Sequence, residues 1–121
     1  MTLAPTLALI AKYPRAGAAK TRLAPLLGEQ GAADLHRRLV ERTLANVSFD
    51  IIGVSAGFDN HRDDWGGLLA TEDYETMGRM VRQAAERNQA GCFGILEGGY
   101  NHAVLGRNVR AFLRGMGGDP A

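Results

Sequence analysis

Apolar residues along this chain follow two periods. Three short continuous runs, at residues 7–11, 51–56 and 92–96, are rich in Leu, Ile, Val and Ala. Runs of that length, each followed by a loop with Gly or Pro, predict buried strands of a parallel sheet. Between and after them the period changes to three and four. Ala32, Leu35, Leu39, Val40, Leu44 and Val47 give one apolar stripe, predicting a helix over 29–47. Tyr74, Met77, Val81, Ala84 and Ala85 predict a second, over 71–88. Thr71 is its candidate N-cap, with Glu72, Asp73 and Glu75 in the first turn and Gly91 as the terminating glycine. Leu105, Val109, Phe112, Leu113 and Met116 predict a third helix over 102–114.

The order strand–loop–helix, three times over, implies a parallel sheet with right-handed crossovers. The expected fold is a small α/β domain, three-layered (αβα), with a short, mostly parallel sheet and Rossmann-like βα repeats. A length of 121 residues fits a single compact domain over 1–121. Three strands leave sheet edges open, which points to homo-oligomerisation through an exposed edge.

Composition narrows this only a little. The net charge of +1 favours neither nucleic acid nor a membrane surface as partner. No apolar run reaches membrane-spanning length, and residues 1–6 lack a basic signal-peptide region. The one cysteine, Cys92, cannot form an internal disulfide, fits a cytoplasmic location, and reads as a small buried hydrophobe. His36 and His102 lie among polar positions and read as solvated.

Chemistry concentrates on the loops. The stretch after the first strand carries Lys12, Arg15, Lys20 and Arg22 and no acid before Glu29. Such a loop suits a polyphosphate, or is simply a solvated basic loop; the Walker spacing is absent. After the second strand, Asp59, His61, Asp63 and Asp64 follow a glycine within eight positions. After the third comes Glu97-Gly98-Gly99-Tyr100-Asn101. Open α/β sheets place their sites on such strand-end loops.

Residues 48–121 resemble the zinc-dependent histone deacetylase and acetylpolyamine amidohydrolase superfamily. The resemblance rests on Val54-Ser55-Ala56-Gly57-Phe58-Asp59-Asn60-His61-Arg62-Asp63-Asp64, on Thr71-Glu72-Asp73-Tyr74 and on Leu96-Glu97-Gly98-Gly99-Tyr100-Asn101. It implies Asp59 as a zinc ligand and Tyr100 as the hydroxyl that polarises an acetyl carbonyl. It also implies that Gly98 and Gly99 line the channel for an acetylated amine substrate. Zinc and a hydroxyl donor together would stabilise a tetrahedral intermediate. The family also uses a tandem histidine pair and a further Asp-x-His ligand pair. Here the three histidines, His36, His61 and His102, are never adjacent. Asp59-Asn60-His61 has Asp-x-His spacing, but the resemblance gives this histidine no ligand role.

Residues 7–47 resemble a different group, an uncharacterised bacterial family similar to GT-A glycosyltransferases and nucleotidyltransferases. The segment is Ile10-Ala11-Lys12-Tyr13-Pro14-Arg15-Ala16-Gly17-Ala18-Ala19-Lys20-Thr21-Arg22 and the residues to Gly28. This resemblance implies nucleotide phosphate contacts from Lys12, Lys20 and Arg22, with Thr21 nearby. The joint expectation is a truncated or chimeric deacetylase-type fold, spliced near residues 47–50, without a complete active site. The alternatives are a nucleotide- or phosphate-binding module and a recombined α/β fold with no activity.

Overall fold

The structure, a computed structural model, describes residues 6–9, 21–46 and 48–118. It divides into two compact units, residues 11–48 and residues 1–10 with 49–121.

The larger unit is built on a parallel sheet in the order β1-β2-β3, with β1 at Thr6–Leu9, β2 at Ile51–Ala56 and β3 at Gly91–Leu96. Leu7 pairs with Ile52, and Ile52 with Cys92. All three strands run the same way, as the alternation of strand and helix requires. Helix α2 spans Thr71–Arg87 and α3 spans His102–Gly117. Both lie on one face of the sheet. A Cβ at Gly94 would touch the Phe112 ring of α3, so Gly94 points toward the helices. Its neighbours Phe93 and Ile95 point the other way and are exposed at 40% and 54%. Phe93 lies flat enough against Gly53, its partner in register, that a Cβ there would strike the ring. The third strand, last in the sheet among the described residues, is thus not the buried strand that residues 92–96 predict: Leu96 is exposed as well and Cys92 is half-buried, because no described element covers that face.

Helices α2 and α3 meet through glycine. A Cβ at Gly78 would run into the backbone of Phe112, Met116 and Gly115, and one at Gly115 into that of Glu75 and Arg79. This contact sets which face of each helix is inside. In α3 the buried positions are Val104, Asn108, Ala111, Phe112 and Gly115. Leu113, expected inside from its hydrophobicity, is 56% exposed. Close backbone approach excludes bulky side chains from the seam, so small residues outrank large apolar ones there. Met77, likewise expected inside, is half-buried while Gly78 beside it is buried.

The helix ends also correct the sequence reading. Ala70, not Thr71, is the N-cap of α2; the Asp73 carboxylate accepts the Ala70 N–H at 2.8 Å. Thr71 is thereby free to use its hydroxyl inward. At the other end Asn88 is the C-cap, Gln89 takes the positive φ of 52°, and Gly91 already belongs to β3. Helix α3 runs past Arg114 to Gly117 and ends on Gly118 in the left-handed conformation.

The smaller unit holds a 3-10 turn, Thr21–Leu23, and α1, Ala24–Asn46. Gly28, at φ 74° and ψ 164°, breaks α1 where the predicted helix begins. Ala32, Ala33 and Leu44 are its buried residues, while Leu39 is exposed. None of the helices is long and apolar enough to cross a membrane, among the described residues.

The glycine seam predicts opposite responses to one added methyl. Gly115→Ala should destabilise the protein by about 1–3 kcal/mol through overpacking. Gly106→Ala, on the same helix with open space around it, should stabilise it by up to about 1 kcal/mol. Urea unfolding of both variants checks the pair.

Candidate active-site half at the strand ends

Asp59 and Tyr100 stand on loops that leave neighbouring strands, and the backbone ties those loops together. The β2–β3 ladder continues past the strands as Glu97 N–H donates to Ala56 O at 3.0 Å. Phe58 N–H then donates to Gly98 O at 2.7 Å. Phe58 turns its ring inward, 2% exposed, against Tyr74 and Phe112 at centroid distances of 4.9 and 5.9 Å. With Phe58 inside, the next residue, Asp59, is left at the strand end and half-buried.

The Asp59 carboxylate lies against glycine on two sides. A Cβ at Gly98 would stand 2.6 Å from Asp59 Oδ1, and one at Gly57 would stand 3.1 Å from it. Gly98 is thus required by proximity to the carboxylate. Gly99 has φ +143° and its missing side chain would meet Leu105; a residue with a Cβ is disfavoured twice there. Among the described residues none donates a hydrogen bond to the Asp59 carboxylate.

Tyr100 is held by a residue that the sequence reading left without a role. Asp64 Oδ2 accepts the N–H groups of both Tyr100 and Asn101 at 2.9 Å, and Oδ1 accepts that of Trp65 at 2.7 Å. The Asn101 amide above all, with those of Tyr100 and Trp65, holds the Asp64 carboxyl below its ordinary range, against an opposing effect of burial. Asn101 adds a bond from its Nδ2 to Asp63 O at 2.6 Å, and its Oδ1 caps α3 by accepting Ala103 N–H. The Trp65 and Tyr100 rings stack at 4.2 Å with 23° between planes.

His61 is fully buried and belongs to the frame of the loop. Asp63 N–H donates to its Nδ1 at 3.1 Å, so that nitrogen carries a lone pair and the ring proton sits on Nε2. Nε2 lies 3.3 Å from Thr71 Oγ1, which in turn donates to Asn108 Oδ1 at 2.8 Å. Donor and acceptor roles run in one direction along this chain, which fixes the Asn108 amide and leaves its buried Nδ2 without a partner. Both ring nitrogens of His61 are occupied by protein, so it offers no metal a lone pair. Tyr74, beside it, donates its hydroxyl to Phe58 O at 3.1 Å. Burial first, then the charge of Asp59, pushes that hydroxyl well above the usual phenol range.

The zinc that the resemblance implies can be tested on this donor set. A catalytic zinc takes three protein ligands and an open position. Among the described residues no three His, Cys, Asp or Glu side chains come together. Residues 1–20 contain none of the four types. The described residues therefore do not fit a catalytic zinc with three protein ligands; the Asp59 carboxylate offers one oxygen donor. Of the phosphate-loop residues, Lys12 and Lys20 lie outside the described residues. Thr21 and Arg22 open the 3-10 turn, where Arg22 is exposed.

Two measurements probe this frame. Thr71→Val should cost about 1–3 kcal/mol, because it leaves a buried imidazole N–H and a buried amide oxygen unpaired; chemical denaturation reads it. Asp64 has a lower folded than unfolded pKa, so its stabilisation is present above the ordinary carboxylate value of 3.8 and fades as pH falls through the folded value. Asp64→Asn should then be less stable than the wild type at neutral pH. The gap between their urea midpoints should close below that value.

Three comparisons with known proteins bear on the family and the fold of this chain. The histone deacetylase domain model matches residues 13–116. The chain is similar to a "Probable deacetylase" of Methanothermobacter thermautotrophicus, 39% identical over 72 residues, which is 58% of this chain and 20% of that relative. It is also similar to the crystal structure of acetylpolyamine aminohydrolase from Burkholderia pseudomallei, with a TM-score of 0.58 and 23% identity. That match covers 91% of this chain and 37% of the other, and at such identity it speaks for the fold. The chain thus spans a minor part of the length of each. The family match starts at residue 13 and runs through the stretch that resembles a GT-A opening, and the comparisons support neither that resemblance nor a fusion. The chain belongs to the histone deacetylase domain family.

Proposed function

We propose that this chain carries the Asp59 and Tyr100 half of a deacetylase-type site and does not by itself hydrolyse an acetylated amine. The observation that supports this most directly is the Asp59 carboxylate lying against Gly57 and Gly98, on a loop hydrogen-bonded to the Tyr100 turn. The carboxylate is half-buried and has no donor among the described residues, so it is available to a cation or to a donor from a ligand. Tyr100, 51% exposed, supplies a hydroxyl that can donate to a carbonyl oxygen of an amide. Gly98 and Gly99 leave backbone bare beside both, which suits a narrow approach for an extended acyl-amine chain.

Among the described residues, no imidazole is arranged as a base to activate water beside Asp59. His61, the nearest imidazole in sequence, has its Nδ1 lone pair engaged by Asp63 N–H and its Nε2 facing Thr71. It cannot take a proton from water without giving up the Asp63 bond inside a sealed network. His36 belongs to α1, and His102 is exposed at the start of α3. With no group of three metal donors among the described residues and His61 engaged on both nitrogens, the geometry supports recognition of the acyl group rather than its hydrolysis. No observation on the described residues favours the phosphate-binding reading.

Metal analysis after dialysis against zinc, together with a fluorogenic acetyl-lysine assay, tests this. The expected result is zinc well below one equivalent and no turnover above the buffer rate. Stoichiometric zinc with robust turnover that Tyr100→Phe abolishes would overturn it.

A further inference from the structure

Asp64 and Trp65 are adjacent in sequence, and both engage Tyr100. The Asp64 carboxylate reaches across from the β2 loop to the β3 loop and takes two successive backbone N–H groups, those of Tyr100 and Asn101. Its other oxygen takes the N–H of Trp65. One carboxylate therefore fixes the backbone on both sides of the gap between the loops. Trp65 is 80% exposed, an unusual position for the largest apolar side chain. Its one described ring contact is the stack on Tyr100. Backbone bonds hold it there: Gly66 N–H donates to Asp59 O at 2.7 Å, which fixes the turn that follows Trp65.

We propose that Asp64 and Trp65 form a two-part clamp that positions Tyr100, the carboxylate fixing its backbone and the indole fixing its ring. Neither is a catalytic residue. Both are positioning residues whose effect is exerted through Tyr100. The clamp explains why an acid and an exposed tryptophan directly follow the Asp59 loop: they carry the geometry of that loop to the neighbouring strand end. It also places a flat aromatic surface against one face of the Tyr100 ring. The meaning of the clamp for acyl-group recognition rests on the function proposed above; its existence does not.

The chain has one tryptophan, so the long-wavelength edge of its near-ultraviolet circular dichroism reports Trp65 alone. An immobilised, stacked indole gives a band there; a freely rotating surface indole gives none. The wild type should show the band, and Tyr100→Phe, which keeps the ring, should retain it. Tyr100→Ala should lose it. Asp64→Ala should lose it as well, although it removes no ring, while Asp63→Ala, which removes the neighbouring acid, should keep it. Far-ultraviolet circular dichroism confirms that each variant is folded. Should Asp64→Ala fail to fold, Asp64→Asn stands in: with a single acceptor oxygen it must give up part of the clamp, and the band should weaken. A full band in folded Asp64→Ala or in Asp64→Asn, or one that survives Tyr100→Ala, overturns the proposal. No metal or substrate is involved, so this outcome is separate from that of the zinc and turnover measurements.

Discussion

The site depends on where Phe58 goes. Its ring is buried against Tyr74 of α2 and Phe112 of α3. Its N–H is bonded to Gly98 at the end of β3, and its carbonyl accepts the Tyr74 hydroxyl. One residue thus joins two strand ends and both helices. Because neighbouring side chains at a strand end point opposite ways, burying Phe58 turns Asp59 toward the loop surface. A smaller residue at 58 would leave a cavity and also loosen the register between the two loops. The polar group at the site is placed by the apolar group before it.

The same economy runs through α2 and α3. Their contact rests on Gly78 and Gly115, whose bare Cα atoms let the two backbones meet. That approach brings Asn108 on α3 close enough to Thr71 on α2 for the bond that continues to His61. The hydrogen-bond chain under the Asp59 loop is therefore a consequence of helix packing. Wider helix spacing would separate Thr71 from Asn108 and leave polar groups buried without partners, at a cost comparable to a lost hydrogen bond for each.

Much of this was legible in the sequence. Three apolar runs alternating with helical stripes predict a parallel α/β sheet, and strand direction and order follow that pattern, although β3 keeps Phe93, Ile95 and Leu96 exposed. Gly57-Phe58-Asp59 and Gly98-Gly99-Tyr100 mark the strand-end loops that the structure brings together. What was not legible depended on distance rather than on residue type. Ranking positions by hydrophobicity places Leu113 inside and overlooks Gly115, since a glycine in a helix gives no sign of whether another backbone lies against it. Thr71 before three acids reads as a cap; its inward use emerges only once Ala70 is seen to take the cap position. Asp64 reads as one more loop acid because its partners are backbone groups 36 and 37 residues away, and backbone donors leave no mark in a sequence.

The polar residues around Asp59 divide by whether they have partners, and that division bears on what the chain can do. His61, Thr71 and the Asn108 amide oxygen form a hydrogen-bond chain beneath the loop, with Asn108 Nδ2 left without a partner, and Asp64 accepts three backbone N–H groups. These groups spend their hydrogen-bonding capacity on shape. Asp59 does not: its carboxylate lies against glycines on two sides and accepts no hydrogen bond from the described residues. A loop built this way does not draw its form from the Asp59 carboxylate: the Asp59 bond that shapes it is made by the backbone carbonyl, which accepts Gly66 N–H. The requirement for a defined loop and the requirement for an available ligand oxygen are met by different residues. The described residues can therefore hold the geometry of the loop independently of whatever further donors a complete site requires.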